Sequence, residues 1–366
     1  MAGNSFKMIL SKCVISICKR FRKGKENNHI RIRDLDFESI VVFSTTALGD
    51  FLFNTPAIRS VQKRYPKAKI VLVSSHKNKS LVEESPWFSD VIYWDQKVAS
   101  LPGLIRQLRK NKPELAILLH SKSPYDVLCV SLSGCQYILK DSYNDKDISL
   151  KSWVTAISGP EFDGHLIERK LSLVSLLGCD KDDVSMSIPI GRKNNKTKET
   201  TEIVVAFQLG ASELLRCWPI HRFQELARLL FSSGRQYRIA LIGSPKEAHL
   251  ADAFLADMTD DECNHITCYV GDLNLKELVE KIAEFDVLVT GDTGPLHIAV
   301  ALQVPTVSLF VTANPEHTGP LQDPGLHTVI RVLPGEREVP SAFAHQPVVV
   351  ITAQEVMSAI EAMAFK

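Results

Sequence analysis

The 366-residue sequence has no run of about 20 consecutive apolar residues, so none of it reads as a membrane span. Glycine and proline are sparse, 18 of each, which excludes a collagen-like or low-complexity chain. The eight cysteines include no CxxC pair and no Cys/His cluster with zinc-ligand spacing. A chain this long needs no disulfide staples, and most of its cysteines lie in or beside apolar segments. They are read as reduced, buried and cytosolic. The GxGxxG dinucleotide fingerprint and the Walker A loop are both missing. Two acid–x–acid motifs, Asp34-Leu-Asp36, which precedes its strand, and Asp145-Lys-Asp147, which lies in polar sequence, do not look like a strand-end divalent-metal site, so no catalytic metal is expected. A net charge of +1 gives no excess of either sign, which argues against a nucleic-acid groove.

The near-zero charge conceals an asymmetry. Residues 1–33 hold nine basic residues against one acid, Glu26, so an arm of charge +8 precedes a remainder of −7. Within it, residues 6–21 place Phe6, Ile9, Leu10, Cys13, Val14, Ile17 and Phe21 at helical spacing, with Lys7, Lys12 and Lys19 largely opposite. A basic amphipathic helix of this kind suits an anionic membrane surface, which residues 6–25 are expected to meet. A helix packed on the body and a disordered tail are the other readings.

From residue 38 the pattern changes to short apolar runs alternating with helical stretches. Runs at 39–44 (SIVVFS), 69–74 (KIVLVS), 90–94 (DVIYW) and 114–119 (ELAILL) read as strands, with a helix at 55–64. They are continuous rather than alternating, as a parallel sheet covered on both faces requires. A polar stretch at 191–200 (GRKNNKTKET) has nothing to bury and reads as a linker. Strands resume at 202–207, 238–242, 286–290 and 306–310, separated by helices near 220–233, 246–257 and 274–284. Thr352-Ala-Gln-Glu355 is a capping box that opens a terminal helix. The expected class is therefore α/β with two doubly wound domains. The divisions are an N-terminal arm at 1–37, a first domain at 38–190, the linker at 191–200, a second domain at 201–350 and a C-terminal helix at 351–366. Ligands of such sheets bind beyond the carboxyl ends of the strands.

Four strand-end segments are candidates for chemistry. After the first strand comes Leu48-Gly49-Asp50, where Gly49 supplies a backbone turn and Asp50 is either a helix cap or an acid–base group; Thr55-Pro56 reads as the N-cap and first position of the helix. The second is Gly291-Asp292-Thr293-Gly294-Pro295-Leu296-His297, a strand running into a turn and a helix. Its backbone N–H groups and helix dipole suit a diphosphate, with the Thr293 hydroxyl and His297 one turn on; the other reading is a tight turn held by Asp292. The third places Arg216 before Trp218-Pro219, either a surface arginine or a cation against phosphate. The fourth, Gly243-Ser244-Pro245-Lys246-Glu247, is a weaker candidate for base or ribose contact.

Together and in this order, these pieces resemble the heptosyltransferases of glycosyltransferase family 9, which build the inner core of bacterial lipopolysaccharide. The resemblance rests on Leu48-Gly49-Asp50 with Pro56-Ala57, on Arg216-Cys217-Trp218-Pro219, on Asp292-Thr293-Gly294 to His297 and Ala299, and on Asn314-Pro315 to Thr318-Gly319-Pro320. It spans about 38–325. This chain departs from the pattern at Val311-Thr312-Ala313, where Gly-Pro-Thr is frequent, at Val300 in place of a second Ala, at Arg216 where many members carry lysine, and in its basic arm. The resemblance implies a GT-B fold, two Rossmann-like domains facing across a cleft, and metal-independent inversion at the anomeric carbon. It implies Asp50 as the base, Gly49, Arg216, Asp292, Thr293, Gly294 and His297 as substrate contacts, to which the strand-end reading adds Gly243 and Glu247, and a nucleotide-diphospho-sugar as co-substrate with no other cofactor. The expected reaction moves heptose from ADP-heptose to a lipopolysaccharide core acceptor. An N-acetylhexosamine from a UDP donor, or a nucleotide-sugar epimerase, is the alternative. A monomer at the cytoplasmic face of the membrane, without nucleic-acid partners, completes the expectation.

Overall fold

A computed structural model describes residues 31–142, 150–158, 161–190 and 201–363. The segment at 6–25 and the linker at 191–200 lie outside the described residues, as does Asp145-Lys-Asp147. The chain divides into two compact units at Gly191–Arg192.

The first unit is built on strands β1 (Ser39–Ser44), β2 (Lys69–Ser74), β3 (Asp90–Tyr93), β4 (Leu115–His120), β5 (Tyr137–Asp141) and β6 (Ala156–Ser158). All pair in parallel, in the order β3-β2-β1-β4-β5-β6. Its main helices are α1 (Leu48–Arg64), α2 (Leu101–Asn111), α3 (Tyr125–Leu132) and α4 (Leu166–Ser175). Val41, Phe43, Val73, Leu104, Leu118 and Val127 belong to one buried cluster, while α1 packs against α4. The continuous apolar runs are what this placement demands, because every central strand is covered on both faces.

The helix after β1 begins seven residues before the expected start, at Leu48, and keeps Pro56 in its interior. Proline has no N–H to give the carbonyl four residues back. Here the Thr55 hydroxyl donates to that same Leu52 carbonyl at 2.7 Å, so the helix continues. Thr55 is therefore not an N-cap, and Asp50 lies inside the first turn of α1 rather than before it. Gly49 is the second residue of α1 and does not take a left-handed backbone.

The second unit repeats the plan with β7 (Ile203–Gln208), β8 (Tyr237–Ile242), β9 (Ile266–Cys268), β10 (Val287–Gly291), β11 (Thr306–Phe310) and β12 (His327–Arg331), again all parallel, ordered β12-β11-β10-β7-β8-β9. Helices α5 (Ile220–Ser232), α6 (Ala248–Leu255), α7 (Leu275–Ile282), α8 (Gly294–Ala301) and α9 (Ala353–Glu361) accompany them. The capping box at Thr352 is formed as read, with Thr352 and Glu355 exchanging bonds with each other's backbone N–H. Trp218 sits in the core, edge-on to Phe223, and its indole N–H donates to the Ile351 carbonyl at 2.9 Å. That bond ties the start of α5 to the approach to α9. Cys129, Cys135, Cys179 and Cys217 are buried as expected, whereas Cys268 is exposed and Cys263 half-buried. Both lie at the outer strand β9 and the helix turn before it, where the sheet has no further neighbour to cover them. Among the described residues no helix is long and apolar enough to cross a membrane.

Candidate active site

Each sheet is wound outwards in both directions from a central pair, β1 and β4 in the first unit, β7 and β10 in the second. At such a reversal the two following connections run to opposite sides, and a crevice opens beyond the strands' carboxyl ends. Four of the sequence's candidate segments were placed at strand ends; the topology puts three of them at these two reversals.

In the second unit, β10 ends at Gly291 and α8 begins at Gly294, with Thr293 extended at the N-cap and Pro295 in the first turn. The Thr293 hydroxyl shares a 2.8 Å bond with the buried Thr290 hydroxyl, which fixes the turn from beneath. From the end of β7, the loop carrying Arg216 crosses to this turn. A Cβ on Gly291 would stand 2.6 Å from the Arg216 carbonyl oxygen, so the close approach of the loop requires glycine there. Asp292 lies between Arg216 and His297: Arg216 Nη1 is 3.2 Å from one carboxylate oxygen and His297 Nε2 is 3.7 Å from the other. His297 is buried and Asp292 mostly covered, while Arg216 keeps about a third of its side chain open. The tight turn held by Asp292 is thus built from the same residues that the sequence marks as the candidate anion site. Asp292 orders the turn and aims the arginine, at the N-terminus of α8, where the helix dipole is positive.

Glu247 lies at the adjacent strand end, after β8. Its carboxylate accepts from the Ser244 backbone N–H in a capping box. The same carboxylate occupies the space where a Cβ on Gly210 would stand, and one of its oxygens would be 3.0 Å from a Cβ on Gly243. Two glycines, at the ends of β7 and β8, therefore let one acid lie across both strand ends. Beside it opens a cavity of about 250 Å³ lined by Gly210, Trp218, Lys246, Glu247, Leu250 and Gln346. Gly243 thus acts by making room for Glu247.

In the first unit, Asp50 projects from the first turn of α1 with about a third of its side chain exposed. His120, the last residue of β4, brings Nδ1 to 3.6 Å from Asp50 Oδ1. Behind this pair lies a buried set of charges. Lys140 Nζ is 2.7 Å from Asp126, whereas Asp141 accepts from Lys170 Nζ at 2.9 Å and from Arg169 Nε at 2.5 Å. Lys140 and Asp141 are neighbours on β5 and so serve opposite faces, Lys140 reaching α3 and Asp141 reaching α4. Burial and the nearby Lys170 and Lys140 push His120 down to about 4 against the pull of Asp50 and Asp141, so the imidazole is neutral near pH 7. Burial works against the Asp141 carboxylate, but Lys170 and Arg169 prevail and hold it below the usual carboxylate range.

Sequence reasoning missed His120 and the charges behind it. His120 is the first polar residue after an apolar strand, and the strand-end rule that singled out Asp50 would have found it. Lys140 and Asp141 left no such signal, since their partners lie 14 to 29 residues away. Among the described residues no group of three or more His, Cys, Asp or Glu is arranged to hold a metal ion.

The family model of glycosyltransferase family 9 (heptosyltransferase) matches residues 139–332. Lipopolysaccharide heptosyltransferase 2 of Escherichia coli K12 is 31% identical over 344 residues, which cover 88% of this chain and 98% of that protein. Among solved structures, a family 9 glycosyl transferase from Veillonella parvula superposes with a TM-score of 0.74 at 21% identity, covering 90% of this chain and 98% of the other. E. coli ADP-heptose lipopolysaccharide heptosyltransferase II does so at 0.71 and 22% identity, covering 89% and 98%.

Proposed function

The chain belongs to glycosyltransferase family 9, with two Rossmann-like domains of the GT-B class, and on that premise we propose that it transfers heptose from ADP-heptose to a lipopolysaccharide core acceptor. The observation that carries this reading is the second unit's strand reversal. There a helix N-terminus, Thr293 and a partly open Arg216 converge at one point. A diphosphate placed at that point meets backbone N–H groups and a guanidinium together, the combination that stabilises a leaving anion. Glu247, across the ends of β7 and β8, is the contact for the ribose hydroxyls, and Gly243 gives it room.

On the acceptor side, Asp50 is the base. Its carboxylate takes the proton of the acceptor hydroxyl as that oxygen bonds to the anomeric carbon. The bond from that carbon to the diphosphate breaks, and its electron pair leaves with the ADP. Attack from the face opposite the leaving group inverts the centre. Arg216 and the α8 turn carry the negative charge that grows on the diphosphate, with Asp292 and His297 holding them in place. Residues 6–25 attach the enzyme to the anionic cytoplasmic face of the membrane, where such an acceptor resides.

Mass spectrometry of core oligosaccharide from a host lacking the protein tests the reading, with a heptose expected to be missing. Loss of an N-acetylhexosamine instead would keep the family and change the sugar. Asp50→Ala is expected to bind donor normally and to lose at least ~100-fold in turnover. Near-normal turnover would remove Asp50 from the mechanism.

A further inference from the structure

Beyond Asp50 itself, the first unit shows a specific device at the end of β4. Strand pairing with β1 runs regularly to Phe43–Leu118 and then skips to Ser44–His120, so Leu119 is an extra residue on β4. A bulge of this kind bends the strand and re-aims the next side chain. The bent end is pinned, because Thr45 gives the His120 carbonyl both its backbone N–H at 2.9 Å and its hydroxyl at 3.3 Å. Thr45 begins the short turn into α1, so the same bonds that fix His120 fix the approach to Asp50. The surrounding charged side chains of Asp126, Lys140, Asp141 and Lys170 are shut off from solvent. Asp50 and His120 keep 32% and 22% of their side chains open, so in this cluster the dyad is the part a substrate reaches.

We propose that His120 is a positioning residue for Asp50: its Nδ1–H holds Oδ1 of the carboxylate, which leaves the second oxygen aimed at the acceptor hydroxyl. The inference rests on the reading of Asp50 as the acceptor-side base. At 3.6 Å the contact is longer than a hydrogen bond, and it closes when the acceptor is bound, as catalytic contacts commonly do. A neutral imidazole beside a carboxylate carries its proton on the facing nitrogen, because that tautomer donates to the negative charge. The groups facing His120 are Asp50 from α1, Lys170 from α4, and Lys140 and Asp141 from β5. Lys170 and Lys140 oppose a second proton on the ring, so His120 orients the base without competing for the proton it collects.

The test compares Asp50→Asn, His120→Ala and His120→Asn in the full-length protein, with steady-state kinetics and calorimetric titration of ADP. His120→Ala should lose about 10- to 100-fold in kcat, with ADP affinity and both KM values within about twofold of the original. His120→Asn places an amide N–H where Nδ1–H stood, and should recover to within about threefold of the original while keeping its melting temperature. Undiminished kcat in His120→Ala alongside a crippled Asp50→Asn would overturn the positioning role and leave the base standing. Full activity in Asp50→Asn would instead remove the base. An Asn variant as slow as the Ala variant would mean that the ring itself carries the proton, which also overturns positioning. Imidazole ¹⁵N spectra read the tautomer without any turnover: Nδ1–H is expected, and Nε2–H contradicts the proposal.

Discussion

Gly291→Ala isolates what the close approach of the Arg216 loop contributes. The new methyl would stand 2.6 Å from the Arg216 carbonyl oxygen, about 0.8 Å short of ordinary van der Waals contact. Neither side yields easily. Gly291 is the last residue of a buried central strand in register with Leu309, and the opposing atom is backbone rather than the tip of a side chain. Relief therefore comes from moving the Arg216 loop outward by most of an ångström. Overpacking of this kind costs about 1–3 kcal/mol, which for a unit of this size lowers the melting temperature by roughly 2–12 °C. The shift also carries the guanidinium away from Asp292, now 3.2 Å distant, and from the first turn of α8. A misplacement near 1 Å in a group that stabilises the leaving charge is worth up to ~100-fold in rate. Thermal melting and steady-state kinetics on the same preparation check both parts, with Gly325→Ala as the control because nothing lies within 4 Å of its Cβ. A Gly291→Ala enzyme with unchanged melting and unchanged kcat would refute the claim that the glycine sets the loop's position.

The buried charges make their own predictions. Asp141→Ala leaves Lys170 and Arg169 without their shared carboxylate in the interior, and urea denaturation should show a loss of ~3–5 kcal/mol. His327 is buried with Nδ1 3.0 Å from the Thr306 hydroxyl, and burial pushes it from 6.5 to about 4. Because the unfolded chain takes up that proton first, the stability linked to neutral His327 is complete above pH 6.5 and is lost as pH falls toward 4. His327→Gln should flatten that part of the stability–pH curve by ~3 kcal/mol, and an unaltered slope would count against the assignment. Deleting residues 6–25 should abolish co-sedimentation with anionic vesicles while leaving turnover on a soluble acceptor fragment within about twofold.

Much was legible along the chain because the physics involved is local. A central parallel strand must be apolar on both faces, so the runs at 39–44, 69–74 and 306–310 announced themselves residue for residue. A helix that opens with a capping box writes its signal in four adjacent positions, as Thr352 to Glu355 do. The glycine, threonine and proline of the β10–α8 turn, with Asp50 and Arg216 at other strand ends, marked the candidate site in the same way.

What escaped the sequence depends on partners brought together by folding. Tyr137–Asp141 carries two charges and so did not resemble a buried strand, and only α3 and α4 supply the counter-charges that make it one. Pro56 appeared to open a helix, because no local rule says that the Thr55 hydroxyl will satisfy the carbonyl that proline abandons. The order of strands, and with it the two reversals where Asp50 meets His120 and Arg216 meets Asp292, exists only once the sheets are assembled. The sequence by itself determined which side chains stand at the strand ends, since that follows from periodicity and turn chemistry. Which of those ends lie side by side was decided by the winding of the sheets, because proximity between residues 70 or more apart is a property of topology and not of any local stretch of chain.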